Sequence, residues 1–163
     1  VLVTGVGLCT PLGDDWRAFA DALLRGDGHF SLQPTRREPL PAARVPIDPL
    51  LSLARDEALV ADRSTALALA AAGRALADAA LPPQSSALAR CGVFVGCATG
   101  PTESVTAAYD ARAARGRMPG LTLLRCLPNG AAAAVAMRHH LHGPQQTYAT
   151  ACASSTIACS KAG

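Results

Sequence analysis

Residues 145–163 read QQTYATACASSTIACSKAG, directly after the break Gly143-Pro144. Gln145–Thr150 predicts a strand, and Ser154 onward predicts a helix. Between them stands Thr150-Ala151-Cys152-Ala153-Ser154-Ser155. A sharp strand-to-helix turn pushes its middle side chain out at the sheet edge and sets it at a helix N-terminus. Backbone N–H groups and the positive end of the helix dipole favour a thiolate there. The same amides can stabilise an oxyanion developing on an attacked thioester carbonyl. Small neighbours at Ala151, Ala153 and Ser154 leave room for an acyl group. Cys152 is therefore the candidate acyl-accepting nucleophile. The competing reading is a buried structural cysteine, the commoner fate of that residue.

Upstream of this turn the same alternation recurs. Gly130–Leu141 is Ala-rich and predicts a helix, broken by Gly143-Pro144. Cys91–Cys97 (CGVFVGC) predicts a short apolar strand, followed by the turn Thr99-Gly100-Pro101 and a helix over about Glu103–Arg115. Asp62 begins the clearest helix, reaching about Ala80. It is Ala- and Leu-rich on nearly all sides, so neighbours are expected to bury it. Pro82-Pro83 stops further helix. Val1–Leu8 predicts a buried strand leading to a turn at Pro11-Leu12-Gly13. Asp14 or Asp15 then caps a helix carrying Trp16, Phe19, Ala20, Leu23 and Leu24, ended by Gly26.

Residues 27–61 differ, because Pro34, Pro39, Pro41, Pro46 and Pro49 interrupt any regular element. This stretch is expected to be a long surface excursion over the core. Strands separated by helices argue for an α/β layer structure with a mainly parallel sheet. Three strands are few for so much buried helix, so the chain is expected to be the front part of a larger protein.

Composition narrows the functional classes. The 163 residues suffice for one domain with a real core, and they are 50% hydrophobic, 17% charged and 4% aromatic. Alanine supplies 35 of them, which suits closely packed helices on a buried sheet. Intrinsic disorder needs the opposite balance. The formal charge is +3, and 14 of the 15 basic residues are Arg. They are scattered apart from Arg36-Arg37 and Arg112, Arg115 and Arg117. No basic stripe with interleaved aromatics exists, which argues against nucleic acid. A small basic patch facing an acidic partner protein fits the composition. No apolar run approaches the roughly 18 residues of a membrane span. The opening Val1–Gly5 lacks a signal peptide's basic region and cleavage site. The six cysteines, at 9, 91, 97, 126, 152 and 159, are then read as cytosolic thiols rather than a disulfide framework.

The remaining chemistry-bearing residues point to bland roles. Cys9, Cys91, Cys97, Cys126 and Cys159 are expected to serve packing only. Arg138-His139-His140-Leu141-His142 has no carboxylate or cysteine partner at metal-ligand spacing, so it reads as a polar helix end and no metal site is assigned. Gly5-Val6-Gly7 invites a dinucleotide-binding reading, but position 10 is Thr10 where the fingerprint needs a third glycine.

Four segments together resemble a β-ketoacyl-acyl-carrier-protein synthase of the elongating condensing-enzyme type. They are VLVTGVGLCTPLG, the Ala-rich helix ending ALADAAL, CGVFVGCATG, and LPNGAAAAVAMRHHLHGPQQTYATACASS. The last, with its Leu-Pro-Asn, Gly-Pro and elbow, is the most specific. The resemblance covers essentially the whole chain.

The resemblance implies a thiolase-like α/β fold, layered helix–sheet–helix–sheet–helix. Residues 1–163 would cover most of its first half, with the second half absent and no activity for this piece alone. It implies that Cys152 takes an acyl group from the phosphopantetheine of an acyl carrier protein, or from coenzyme A, with no bound cofactor. A malonyl-carrier thioester would then decarboxylate and attack the acyl-cysteine, in fatty-acid or polyketide/polyene synthesis. The family's two catalytic histidines belong to its C-terminal half, and His139, His140 and His142 do not match them. Thr99 matches the position that lines the acyl pocket and limits chain length. Gln145–Thr150 matches the strand that pairs across the dimer axis, implying a homodimer or a heterodimer with a paralogue, in the cytoplasm. Arg125-Cys126, Asn129-Gly130 and the short Arg/Pro-rich excursion depart from the common pattern and favour a specialised enzyme. The rival identities are a thiolase, with its late second cysteine, and a non-catalytic chain-length-factor-like subunit, which typically lacks the nucleophile.

Overall fold

The computed structural model describes residues 2–35, 37–46, 48–82 and 85–163. Val1 of the opening run, Arg36 of the Arg36-Arg37 pair and Pro83 of Pro82-Pro83 lie outside them. In chain order the helices are α1 (Trp16–Arg25), α2 (Arg55–Val60), α3 (Arg63–Asp78), α4 (Thr102–Arg115), α5 (Thr122–Arg125), α6 (Gly130–His139) and α7 (Ser154–Lys161). The strands are β1 (Phe30–Gln33), β2 (Leu40–Ala43), β3 (Val93–Gly96) and β4 (Gln145–Tyr148). Single 3-10 turns cover Pro49–Ser52, Leu88–Arg90 and Ala151–Ala153.

The caps behave as short polar side chains dictate. The Asp15 carboxylate accepts from the Arg17 and Ala18 amides at 3.0 and 2.8 Å, starting α1, and Gly26 ends it. Asp62 starts α3 in the same way, accepting from the Ser64 amide at 2.7 Å. The Glu57 carboxylate reaches back to the Ala54 amide at 3.0 Å at the start of α2.

β3 and β4 pair in parallel, with Val93 opposite Gln145 and Gly96 opposite Tyr148. One core packs against this pair: Leu69 of α3, Leu88, Val93, Ala132, Val135 and Ala136 of α6, and Leu141. Alanines on the facing surfaces of α3 and α6 let the helices approach closely. Burial of α3 is concentrated at Thr65, Ala66 and Leu69, so its neighbours cover one side more completely than the rest. The helix ends at Asp78, two residues before the expected limit, and Ala80 takes a positive φ of 53°.

Three expectations are corrected. First, residues 2–8 form no strand. Their backbone finds no ladder partner among the described residues, and Leu2 and Val3 are 90% and 81% exposed. The segment instead lies against α3, where a Cβ at Gly5 or Gly7 would collide with the backbone of Ala75 or Ala71. Glycine here serves close approach. Among the described residues the sheets are therefore two pairs, β1–β2 and β3–β4, rather than one sheet of three strands.

Second, residues 27–61 carry regular structure: the antiparallel hairpin β1–β2, the turn Pro49–Ser52 and α2. The prolines sit where a missing N–H is tolerated. Pro41 lies in a two-stranded ribbon, whose strands each have an open edge, and Pro49 opens a helical turn. Phe30 and Leu32 on one face of the hairpin remain exposed, as do Leu23 and Leu24 of α1.

Third, not every cysteine is packed away: Cys91 and Cys159 are exposed, while Cys9, Cys97 and Cys126 are half-buried. Cys91 lies just outside β3, where its thiol donates to the Ala87 carbonyl at 3.4 Å. Cys159 stands on the outer side of α7, whose inward residues are Ser154 and Ala158.

Candidate functional site

Parallel strands send their following loops off the same sheet edge, and in α/β sheets that carboxyl edge is where ligands bind. Here the two loops are Cys97–Pro101 after β3 and Ala149–Ala153 after β4. They start side by side, because the Cys97 amide donates to the Tyr148 carbonyl at 3.0 Å. They stay close, because Gly96 abuts the first turn of α7. A Cβ on Gly96 would stand 2.5 Å from the Ser155 nitrogen and 2.6 Å from the Ser154 oxygen. Glycine is needed at that position.

Cys152 stands exposed at the centre of the 3-10 turn Ala151–Ala153, immediately before α7. The strand–turn–helix placement expected from the sequence is met, and the buried-cysteine reading is not. The turn is closed by Ser154, which is 3% exposed. Its hydroxyl accepts from the Thr150 amide at 2.9 Å and donates to the Ala151 carbonyl at 2.7 Å. Ala151 has φ 50°, a left-handed conformation unusual for a residue with a side chain. The sharpness of the elbow thus resides in Ala151, and its fixation in Ser154.

Thr99 is exposed in the neighbouring loop, where its carbonyl accepts from the Thr102 hydroxyl at 3.1 Å. It therefore shares the carboxyl edge with Cys152. The histidines do not. His139, His140 and His142 precede the start of β4, whereas Cys152 follows its end, so the strand separates them. The expected polar helix end is only partly realised. His140 closes α6 with φ 54° and is exposed, but His139 is half-buried and its Nε2 has no hydrogen-bond partner. Burial pushes the His139 pKa down, and the Arg138 charge adds to that against an opposing effect of Glu57. Arg138 Nε donates to Glu57 Oε1 at 2.7 Å, and its Nη2 donates to Oε2. This pair joins α6 to α2 and holds the Glu57 carboxyl below its ordinary range, outweighing burial.

The sequence reading missed one connection. Asp62 was legible as the cap of α3 alone. In the fold it is 3% exposed, and its second carboxylate oxygen accepts from the Ser104 amide in the first turn of α4 at 3.2 Å. Burial pushes its pKa up, but hydrogen bonds from Ser104 and Ser64 outweigh this and leave the group below its ordinary value. The contact spans 42 residues, and no local pattern announces it. Beside it a cavity of about 500 Å³ is lined by Asp62, Glu103, Ser104, Leu121 and Arg125. A second, apolar cavity of about 370 Å³ lies between α3, α5 and α6, with the Glu57–Arg138 pair at its rim. Among the described residues no cluster of three or more His, Cys, Asp or Glu could hold a metal ion, and no helix is long and apolar enough to cross a membrane.

Comparison with known proteins bears on the family and the fold. The family model described as β-ketoacyl synthase, N-terminal domain, matches residues 1–163. A β-ketoacyl synthase from Burkholderia phymatum STM815 superposes with a TM-score of 0.82 at 27% identity, over 98% of this chain and 41% of that one. The ishigamide ketosynthase/chain length factor gives a TM-score of 0.81 at 19% identity, over 98% of this chain and 44% of that one. The AntDE:AntF complex, a type II PKS acyl-carrier protein with its ketosynthase bound to the hexaketide, gives 0.74 at 16% identity, over 97% and 44%. This chain thus spans less than half the length of each of these structures. The two at lower identity speak for the fold alone. The match along the whole chain, with a thiolase-like α/β fold, places it in the β-ketoacyl synthase family, as the N-terminal domain.

Proposed function

We propose that Cys152 is the nucleophile of an acyltransferase catalysing a decarboxylative Claisen condensation. The observation that carries this reading is an exposed cysteine on the turn between β4 and α7, beside the loop that leaves β3 at the same edge. In this reaction the Cys152 thiolate adds to the carbonyl of an acyl thioester, borne on the phosphopantetheine of an acyl carrier protein or on coenzyme A. The carrier thiolate leaves and takes a proton, and S-acyl-Cys152 remains. A malonyl-carrier thioester then loses carbon dioxide. Its enolate carbon attacks the acyl carbonyl, forms the new carbon–carbon bond and expels the Cys152 thiolate. His139, His140 and His142 are given no part in that step, because β4 separates them from Cys152.

In the same reading Thr99 borders the acyl path. Its small side chain leaves more room than a large aliphatic one, while its hydroxyl disfavours a saturated chain. Fatty-acid and polyketide or polyene synthesis both use this chemistry, and the polar Thr99 leans toward the latter. An acyl carrier protein is the partner of the AntDE:AntF ketosynthase. Exposed Arg112, Arg115 and Arg117 after the middle of α4 offer a basic face to an acidic partner. Gln145 and Gln146 of β4 are exposed, and β3 is the strand's neighbour among the described residues, which suits pairing with a second chain, identical or paralogous. Six cysteines read as thiols rather than as a disulfide framework support a cytoplasmic setting for this reaction.

A non-catalytic partner subunit is the second reading, because a ketosynthase/chain length factor shares the fold. The presence of Cys152 weighs against it. Intact mass spectrometry of the native protein after exposure to an acyl-carrier thioester separates the two. The expected result is one added acyl group on the wild type and none on Cys152→Ala. A wild-type protein that never gains the adduct with any acyl or coenzyme A donor would favour the non-catalytic subunit.

A further inference from the structure

We propose that Asp62 is a positioning residue that sets the Thr99–Pro101 loop against the Cys152 elbow. The inference rests on the acyltransferase reading of that edge. It starts from how α4 begins. The residue before its first turn, Pro101, has no side-chain hydrogen bond to give, so α4 lacks a cap of its own. A helix start leaves its first amides without intrahelical partners. One of these, Ser104 N–H, is taken by Asp62 from a distant part of the chain.

The two oxygens of Asp62 do different jobs. Oδ1 accepts from the Ser64 amide and hydroxyl, both at 2.7 Å, and so caps α3. Oδ2 accepts from the Ser104 amide at 3.2 Å, and so caps α4. The carboxylate is almost fully buried, and its charge strengthens both arms. α3 is fixed in the core through Leu69, so Asp62 is a fixed point. α4 is pinned to that point, three residues after Pro101. At its other end the loop is pinned by Cys97 N–H on the Tyr148 carbonyl. The Thr99–Pro101 segment is thereby held between a sheet edge and a buried carboxylate. Releasing the Asp62 end would let the loop shift relative to Cys152 without altering the elbow, whose own ties run through Ser154.

Asp62→Asn tests this without removing the α3 cap, since asparagine is itself a favoured N-cap. Its single carbonyl oxygen serves Ser64, and its amide group then faces the Ser104 N–H as donor against donor. The readout is the ratio of Cys152 acylation rates for a short and a long acyl-carrier thioester, measured on the native protein. Asp62→Asn is expected to change that ratio by about threefold to tenfold, because small displacements of a positioning group have large kinetic effects. Alkylation of Cys152 by iodoacetamide should stay unchanged, since the elbow is intact. Ser64→Ala weakens only the α3 arm and should leave the ratio as in wild type. An unaltered ratio in Asp62→Asn, or an equal change in Ser64→Ala, overturns the proposal.

Hydrogen exchange on the wild type supplies a test that needs no variant and no acyl transfer. The Ser104 amide should exchange far more slowly than that of Glu103. Equal rates overturn the pinning of α4. Should the wild type fail to acylate while Ser104 is protected, the acyltransferase reading fails and the ratio change with it. The pinned loop then stands as architecture.

Discussion

Two apolar, glycine-bearing runs of this chain look alike and fold differently. CGVFVGC at Cys91–Cys97 contains β3, which pairs with β4 and buries Val93 in the core. VLVTGVGL at 1–8 has the same branched residues and two glycines, yet its described part pairs with no strand. Both runs use glycine to approach a helix: Gly96 meets α7, and Gly5 and Gly7 meet α3. The difference is hydrogen bonding. A strand is a relation between two segments, and a sequence run states only one side of it. The helix α3 sits between the two cases, with Leu69 turned to the core and Ala71 and Ala75 turned to the unpaired run.

Breaking the β3 side of α3 should have the largest effect. Leu69 is 1% exposed, and Leu69→Ala should destabilise the native protein by about 2–5 kcal/mol, read by urea unfolding. A loss below about 1 kcal/mol would mean that the α3–β3–α6 core does not hold the fold.

The glycines sharpen the comparison directly. Gly96→Ala forces a Cβ into the backbone of α7, with an expected cost of about 1–3 kcal/mol and loss of Cys152 acylation. Gly7→Ala also collides, but the run bearing it is tied to α3 by side-chain hydrogen bonds, Val6 N–H to Asp78 and Arg74 to the Leu8 carbonyl, rather than by a strand ladder among the described residues. Its cost should stay under about 1 kcal/mol, with faster amide exchange confined to residues 2–8. Equal costs for the two substitutions would show that the opening run is held as firmly as β3.

The smallest effect concerns the α2–α6 contact, seen in Tm against pH. His139 sits below its ordinary value of 6.5 in the fold, so as pH falls the unfolded chain takes up the proton first and stability declines. The carboxyls of Glu57 and Asp62 lie below their ordinary values of 4.5 and 3.8, so their contribution is present above those values. It is lost as pH falls through the lower folded values. Two stages of acid destabilisation are expected, and His139→Gln should flatten only the upper one, between about pH 7 and pH 5. An unchanged slope in that variant would move the upper stage to another group.

What the sequence made legible was local. Asp15, Gly26 and Asp62 announce helix ends within a few residues, and the structure places those ends where they stand. The Cys152 turn was readable for the same reason, since strand, turn and helix are contiguous. Long-range relations were opaque. The hairpin β1–β2 hides behind prolines that a ribbon edge tolerates. The missing partner of residues 2–8 leaves no trace in those residues. The grip of Asp62 on Ser104 joins two helices whose sequences do not refer to each other. Even the elbow's left-handed residue is not glycine, so the usual signal of a sharp turn is absent at Ala151.

That choice of residue has a consequence for how the elbow is maintained. A left-handed alanine costs about 1–2 kcal/mol, which glycine would largely avoid. The two hydrogen bonds of Ser154 contribute about 0.5–1.5 kcal/mol each. The opposing quantities are of similar size, so the bend is nearly balanced rather than deeply trapped. A glycine at 151 would relax the strain but free the chain to swivel, whereas alanine leaves few alternatives once Ser154 has closed the turn. The path of the backbone through Cys152 is therefore closed by a hydroxyl two residues downstream.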